Sequence, residues 1–595
     1  MLKVKVNFAQ LVLATIVIVS IFSCKQKSTE VDWKKASEEE NVRFDKFKGD
    51  FVDKLWKLSP TSALYAGFHN YDSILIIPDA NYRNYCDQQY DSILYDLGDI
   101  EIGLLSPQNK TDYWMIQDYL KAGIWYDTAF KSFEWNPANY NVAGEFAEIL
   151  NGRYAPLNDR LIMFDKRLNN VSAYYQAAKK ELKNPTIEHT DLAILQHEGS
   201  VEEVFGKNLE DSVKASTLDE ATKAHLLAYA DSAKKAMLGY ADYLKTMRKS
   251  MTPENSRSFR IGKELYDTKF KYDIASSYSA EEIYNKAIKR KSELHHEMAE
   301  LSRQMWTKYF PKEAMPTDSL LLIRKMIDKL SLVHVNRDSF LESIQAQIPA
   351  LVKFIKDKDL IYIDPSKPLV VRKTPAYMEG GGAGASISAP GPYDKGGNTY
   401  YNVSPLTGYS PEQAESYLRE YNQYILQILN IHEAIPGHYT QLVYSNNSPS
   451  IIKSIMGNGA MVEGWAVYTE RMMLENGYGN NEPEMWLMYY KWHLRSVCNT
   501  ILDFSVHVKN MSEQDAMKLL VDGAFQQTAE AQGKWKRVRL TQVQLTSYYT
   551  GFTEIYELRE SLKSKDFNLK KFHEQFLSYG SAPVKYIKQL MTEKK

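Results

Sequence analysis

From Phe47 onward, apolar residues recur at three- and four-residue spacing, the pattern of a helix with one buried face. Residues 112–130 (DYWMIQDYLKAGIWYDTAF) show it plainly, and so do stretches near 160–182, 217–247 and 280–308. Pro and Gly are sparse there, as long helices require. The pattern breaks between about 360 and 404. Leu360–Ile363, Leu369–Val371 and Thr399–Val403 read as short strands rich in branched and aromatic residues. Between them lie a Gly cluster from Glu379 to Ala385, then Pro390-Gly391-Pro392 and Gly396-Gly397, which predict a loop flanking a small sheet. After Pro411 the helical pattern returns and runs to the end. The expected fold is mainly α, a large helical body around a deep cleft with a small β element near 360–404. A strand at Tyr400–Val403 on the edge of that sheet would align an extended peptide by strand addition.

The N-terminus follows a different rule. Lys3 and Lys5 precede a mostly apolar run, Leu11–Phe22, which is short for a membrane span and of the right length for a signal-peptide core. The run ends Ile21-Phe22-Ser23-Cys24 and turns polar at once. This resembles a bacterial lipoprotein signal, in which the cysteine becomes the first mature residue and carries acyl chains that anchor it to a membrane. The expected organisation is therefore a signal peptide over 1–23, a lipid anchor on Cys24 with a flexible tether over 24–45, a helical N-terminal lobe over 46–355 and a catalytic lobe over 356–595.

Composition narrows the partners. The chain has 595 residues, a formal net charge of -1 and both signs of charge mixed throughout, so it lacks the basic stripe of a nucleic-acid binder. Besides Cys24 there are only Cys86 and Cys498, too few for a disulfide framework or a cysteine-rich metal site.

The chemistry is concentrated in His432-Glu433-Ala434-Ile435-Pro436-Gly437-His438. Zinc peptidases place two histidines four apart on one helix face, with a Glu after the first to take a proton from water. Here the second His is six positions on, about 240° around a regular helix. Pro436 forbids a regular helix through this segment, and Gly437 accepts unusual geometry. Together they predict a bulge that returns His438 to the side of His432. Further on, Met461–Arg471 reads as a helix with Glu463 and Glu470 two turns apart on one face among apolar neighbours. A partly buried carboxylate needs a cation, which makes Glu463 the third zinc ligand. Gly464 beside it allows a close helix approach. Glu470 either orients a zinc-bound histidine or pairs with Arg471 or another neighbour. A zinc hydrolase also needs a donor for the oxyanion, and Tyr548 is the candidate among Gln544–Gly551, with Arg559 nearby in sequence.

These motifs resemble the bacterial family called domain of unknown function 885, which is similar to helical zinc metallopeptidases. The resemblance rests on Leu64–His69, the His432–His438 segment with Gln441, Glu463-Gly464-Trp465-Ala466 with Tyr468 and Glu470, Asp503 with His507, and Tyr548 with Gly551 and Leu558-Arg559. It implies a helical enzyme with a cleft and with zinc at His432, His438 and Glu463. This chain departs from the family in having Gln542-Val543 where Pro-Gly is usual, and Asn499 in place of a usual Arg. His507 either contacts the substrate or oxyanion or is a satisfied structural histidine. The expected activity is hydrolysis of peptides by zinc-activated water with Glu433 as general base. The rivals are a non-catalytic lipoprotein that captures peptides or glycans, and a zinc hydrolase of a non-peptide amide or ester.

Overall fold

The computed structural model describes residues 32–374, 385–394 and 396–593. Cys24, the apolar run before it and most of the Gly cluster lie outside the described residues. The fold is mainly α. The predicted helices form where the periodicity placed them: Pro107–Trp125, Glu220–Arg248 and Ala280–Tyr309, while the stretch near 160–182 divides into Leu157–Leu168 and Val171–Glu181. Local signals set several ends. Pro107 occupies the first turn of its helix, and Ser279 with Glu282 forms a reciprocal cap at the start of Ala280–Tyr309. None of the described helices is long and apolar enough to cross a membrane.

Two expectations about organisation need correction. The polar stretch expected to be a tether through residue 45 is already helical from Trp33, in a helix that runs to Leu58 and is capped by Asp32. Its Phe44 and Phe51 reach the core, which repays the ordering of a polar segment. Nor does the packing follow the expected lobe boundary at 355/356. One apolar core draws on Phe44–Leu120 together with Tyr266–Ile587, on both sides of it, and a second core gathers Leu64, Leu75 and the helices between Tyr140 and Leu244.

The β element has three strands, β1 (Leu369–Lys373), β2 (Ala385–Ser388) and β3 (Thr399–Val403), in the order β1-β3-β2. β3 pairs parallel with β1 and antiparallel with β2. It is therefore the central strand, and both its edges are used; it cannot take an added peptide strand as expected. The expected strand at Leu360–Ile363 pairs with no strand among the described residues. Leu360 O accepts from His573 and Tyr362 N donates to Glu574 instead. Cys86 and Cys498 are buried free thiols.

Candidate metal centre

Six helices build the site: α1 (Gln423–Glu433), α2 (His438–Asn446), α3 (Gly459–Glu475), α4 (Pro483–Val508), α5 (Thr528–Leu540) and α6 (Ser547–Leu562). The expected bulge is a full break. α1 stops at Glu433 and α2 begins at His438, so the two histidines sit at the facing ends of two helices, and the 3.6-residue period no longer relates them. Pro436, in a cis peptide bond with Ile435, lies in the four-residue connection. Its carbonyl accepts from the indole of Trp465 on α3 at 2.9 Å, which ties the connection to the helix carrying Glu463. Gly437 N donates to Ile431 O at 3.0 Å. A Cβ on Gly437 would overlap the carbonyl oxygens of His432 and Ile431, so only glycine permits this close a return of the chain.

The return works: ligand atoms of His432, His438 and Glu463 lie within 4.8 Å of one another. The Glu463 carboxylate is 3.7 Å from His432 Nε2 and 3.4 Å from His438 Nε2, and the two imidazole planes stand at 85°. Among the described residues this is the one cluster of three such groups. Glu470, two turns after Glu463, accepts from His432 Nδ1 at 2.7 Å and from the Trp492 indole of α4 at 2.9 Å. Of its two expected roles it therefore takes the first, orienting the histidine, while Arg471 pairs with Glu475. With Nδ1 engaged, His432 presents Nε2 to the cluster.

The donors fit a cation. Glu463 Oε2, Glu470 Oε2 and His438 Nδ1 are buried without a hydrogen-bond partner among the described residues. Two imidazoles and a carboxylate are a donor set that zinc accepts. Without an ion the cluster holds charge by protons. Burial opposes a charged His432, yet the nearby Glu463 carboxylate and the hydrogen bond to Glu470 outweigh that and push it up to about 10. Burial likewise opposes a charged Glu463, but the two imidazoles hold its carboxyl well below the usual range. Burial raises the Glu433 carboxyl, while His438 and His432 pull it down, and a bound cation would pull the same way.

A glycine pair sets the far wall. Gly464 of α3 packs on Gly551 of α6 so tightly that a Cβ on either would overlap the other helix's backbone. This contact brings Tyr548, one turn before Gly551, into the electrostatic reach of Glu463. Burial, then Glu463, pushes its phenol up to about 12. Tyr548 Oη accepts from Arg537 Nη2 of α5 at 3.1 Å, and the same nitrogen donates to Gln544 Oε1 at 2.8 Å. Sequence reasoning missed Arg537, which carries no motif. On the opposite flank the sheet abuts α1: Tyr401 of β3 donates to Asn430 at 2.9 Å and lies near enough to Glu433 to sense its charge.

His507 does not join this group. Its Nε2 lies 2.9 Å from Val538 O and 3.0 Å from Thr541 O, so the ring bonds the C-terminal end of α5; of its two expected roles it takes the structural one and not the catalytic one. Its neighbour Asp503 accepts from Val543 N, Leu545 N and the Tyr266 hydroxyl, pinning the turn that leads to Tyr548. Val543 there adopts a positive φ of 70°, a backbone conformation that favours glycine. Arg559 is engaged by Glu475 and Glu560 and does not reach the cluster. The open surface cavity lined by Gln304, Lys308, Tyr309, Tyr424 and Glu484 contains none of the cluster's residues.

Comparison with known proteins agrees with this architecture. No curated protein matches the chain. A solved structure of a proposed lipoprotein of unknown function from Shewanella oneidensis is similar at 54% identity, with a TM-score of 0.83 over 92% of this chain and 100% of that one. A second, a proposed lipoprotein from Colwellia psychrerythraea, shares the fold at 15% identity, with a TM-score of 0.75 over 92% of this chain and 98% of that one. The family model described as "Bacterial protein of unknown function (DUF885)" matches residues 60–591, and the chain belongs to that family.

Proposed function

We propose that this protein is a zinc-dependent hydrolase of peptide bonds, exported and held at the cell envelope by a lipid on Cys24. The observation that carries the catalytic reading is the convergence of His432, His438 and Glu463 with Glu433 directly following the first histidine. His432 Nε2, a nitrogen of His438 and a Glu463 oxygen would hold the ion. Zinc at such a site lowers the pKa of water and polarises a carbonyl. Glu433 takes the proton of the attacking water and passes it to the leaving amine. Its burial supports the task, since a raised carboxyl pKa suits a base that must later act as an acid. Tyr548 stays protonated at neutral pH, and because its oxygen already accepts from Arg537, its own hydrogen is left to donate to the developing oxyanion. Glu470 and Trp492 hold the His432 ring in place. The lipoprotein assignment is supported by the Leu11–Cys24 pattern and by the descriptions of the two similar structures.

The test is a mixed-peptide digest read by mass spectrometry, run with the zinc-loaded parent and with Glu433→Gln. The variant preserves size and zinc but cannot accept the proton. Its turnover should fall by about 10²–10⁴ with zinc content and peptide affinity nearly unchanged. A parent that binds peptides and cleaves none would favour the binding lipoprotein. Equal rates in both would mean the active site lies elsewhere.

A further inference from the structure

The wall of the site behind Tyr548 has a surplus of positive charge. Lys491 of α4 pairs with Glu420 at 2.8 Å, and Arg495, one turn on, pairs with Glu530 of α5 at 2.5 Å. Two further basic side chains share a face of α5 at a spacing of three, Lys534 and Arg537. Among the described residues neither forms an ion pair. Lys534 is 4% exposed and makes no hydrogen bond there either. Burial, with Arg495 beside it, drives its ammonium pKa well down despite Glu530. Arg537 spends one nitrogen, Nη2, on the neutral oxygens of Gln544 and Tyr548. Its Nε and Nη1 make no hydrogen bond among the described residues, and they are not among the atoms sealed from solvent. A guanidinium with one edge fixed and the other open is a fork waiting for a carboxylate. Arg537 is half-buried beside Tyr548, and an anion on that open edge would complete its pairing.

The position of the fork sets what the anion is. Arg537 is one hydrogen bond from the hydroxyl proposed to meet the oxyanion. One residue of peptide spans about 3.8 Å between Cα atoms. A carboxylate seated on Arg537 therefore belongs to the residue next to the scissile bond. We propose that Arg537 binds the free carboxylate of the substrate's C-terminal residue, making the protein a carboxypeptidase. This rests on the hydrolase reading above and adds the substrate class to it.

Three blocked peptides test it: benzoyl-Ala-Ala-Ala with a free C-terminal carboxylate, the same peptide amidated, and an amidated version ending in Asp. Binding is measured by calorimetry on Glu433→Gln, and cleavage by the parent is read as product masses. The free acid should bind about 10- to 100-fold more tightly than its amide, and the parent should release its last residue. Arg537→Gln should abolish the preference, and Arg537→Lys should restore part of it. Lys536→Ala, on the exposed side of α5, should keep it in full. Equal binding of acid and amide, or no binding of either, overturns the proposal. So does an Arg537→Gln variant that weakens both peptides equally, because Arg537 would then only position Tyr548. If the Asp-ended amide binds as well as the free acid, the subsite reads acidic side chains and the carboxypeptidase assignment falls. A preference in binding without any cleavage would sink the hydrolase reading and leave the subsite standing; cleavage of all three alike would do the reverse.

Discussion

At the scale of single residues, the site depends on a few side chains whose tasks are separable. Glu470 touches His432 rather than the proposed ion. Glu470→Gln keeps an acceptor for His432 Nδ1 but removes the charge that makes the imidazole a better donor to metal. Zinc affinity, measured by competition with a chelating dye, should fall about 10- to 100-fold while the protein stays folded; unchanged affinity would reduce Glu470 to a packing role. Tyr548→Phe removes a donor needed only as the oxyanion forms. Turnover should drop about 10²–10³-fold with zinc content and peptide binding nearly intact. A loss of binding in place of turnover would mean that the hydroxyl holds the ground state. His507 shows how residue-scale reading can mislead. A histidine near an aspartate has the same letters whether it works on substrate or ties down two carbonyls, and only the position of Val538 and Thr541 decides.

At the scale of elements, the site is an arrangement of helix ends and helix contacts, and this governs what the sequence could reveal. α3 and α6 touch through Gly464 and Gly551, and Tyr548 rides on that contact. Gly551→Ala must push the helices apart or twist them. It should cost about 1–3 kcal/mol in urea denaturation and, by moving Tyr548 away from Glu463, lower turnover more than zinc binding. Wild-type turnover in that variant would break the link between helix spacing and catalysis. The long helices were legible because a one-sided apolar stripe is a local signal. The cluster was legible because His432, His438 and Glu463 sit in compact motifs, although the Pro-Gly device is a break between helices and not a bulge within one. The central place of β3 was hidden because its partner β1 lies some thirty residues earlier and the pairing is non-local. Arg537 was hidden because a cation on an amphipathic helix reads as a solvated face until the fold sets it against a tyrosine.

At the scale of the whole molecule, the proposed anchor and the proposed metal make separate demands on a large helical body. The first described helix starts at Trp33, so eight residues separate it from Cys24, a distance that even a fully extended chain limits to about 32 Å. The body would thus sit close to the membrane, nearer than a tether through residue 45 would place it. Cys24→Ser should move the protein from the detergent phase to the aqueous phase in phase partition, and intact-mass analysis showing an unmodified mature N-terminus elsewhere would end the lipoprotein assignment. The metal's contribution can be set against the core's. The main core joins apolar residues from Phe44 to Ile587, and the second gathers another set around Phe146, Tyr175 and Tyr240, none of which needs an ion to pack. Zinc held by the folded chain would add to its stability by mass action, about 4 kcal/mol at a thousandfold excess over its dissociation constant. Removing it with a chelator should therefore lower the melting temperature by a few degrees while leaving the far-ultraviolet helical signal at room temperature unchanged, and activity should return when zinc is restored. The break between α1 and α2 is held by Trp465 and by the fit of Gly437, contacts that persist without metal. A chelated protein that loses its helical signal would show instead that the ion, and not the packing, holds His432 and His438 together.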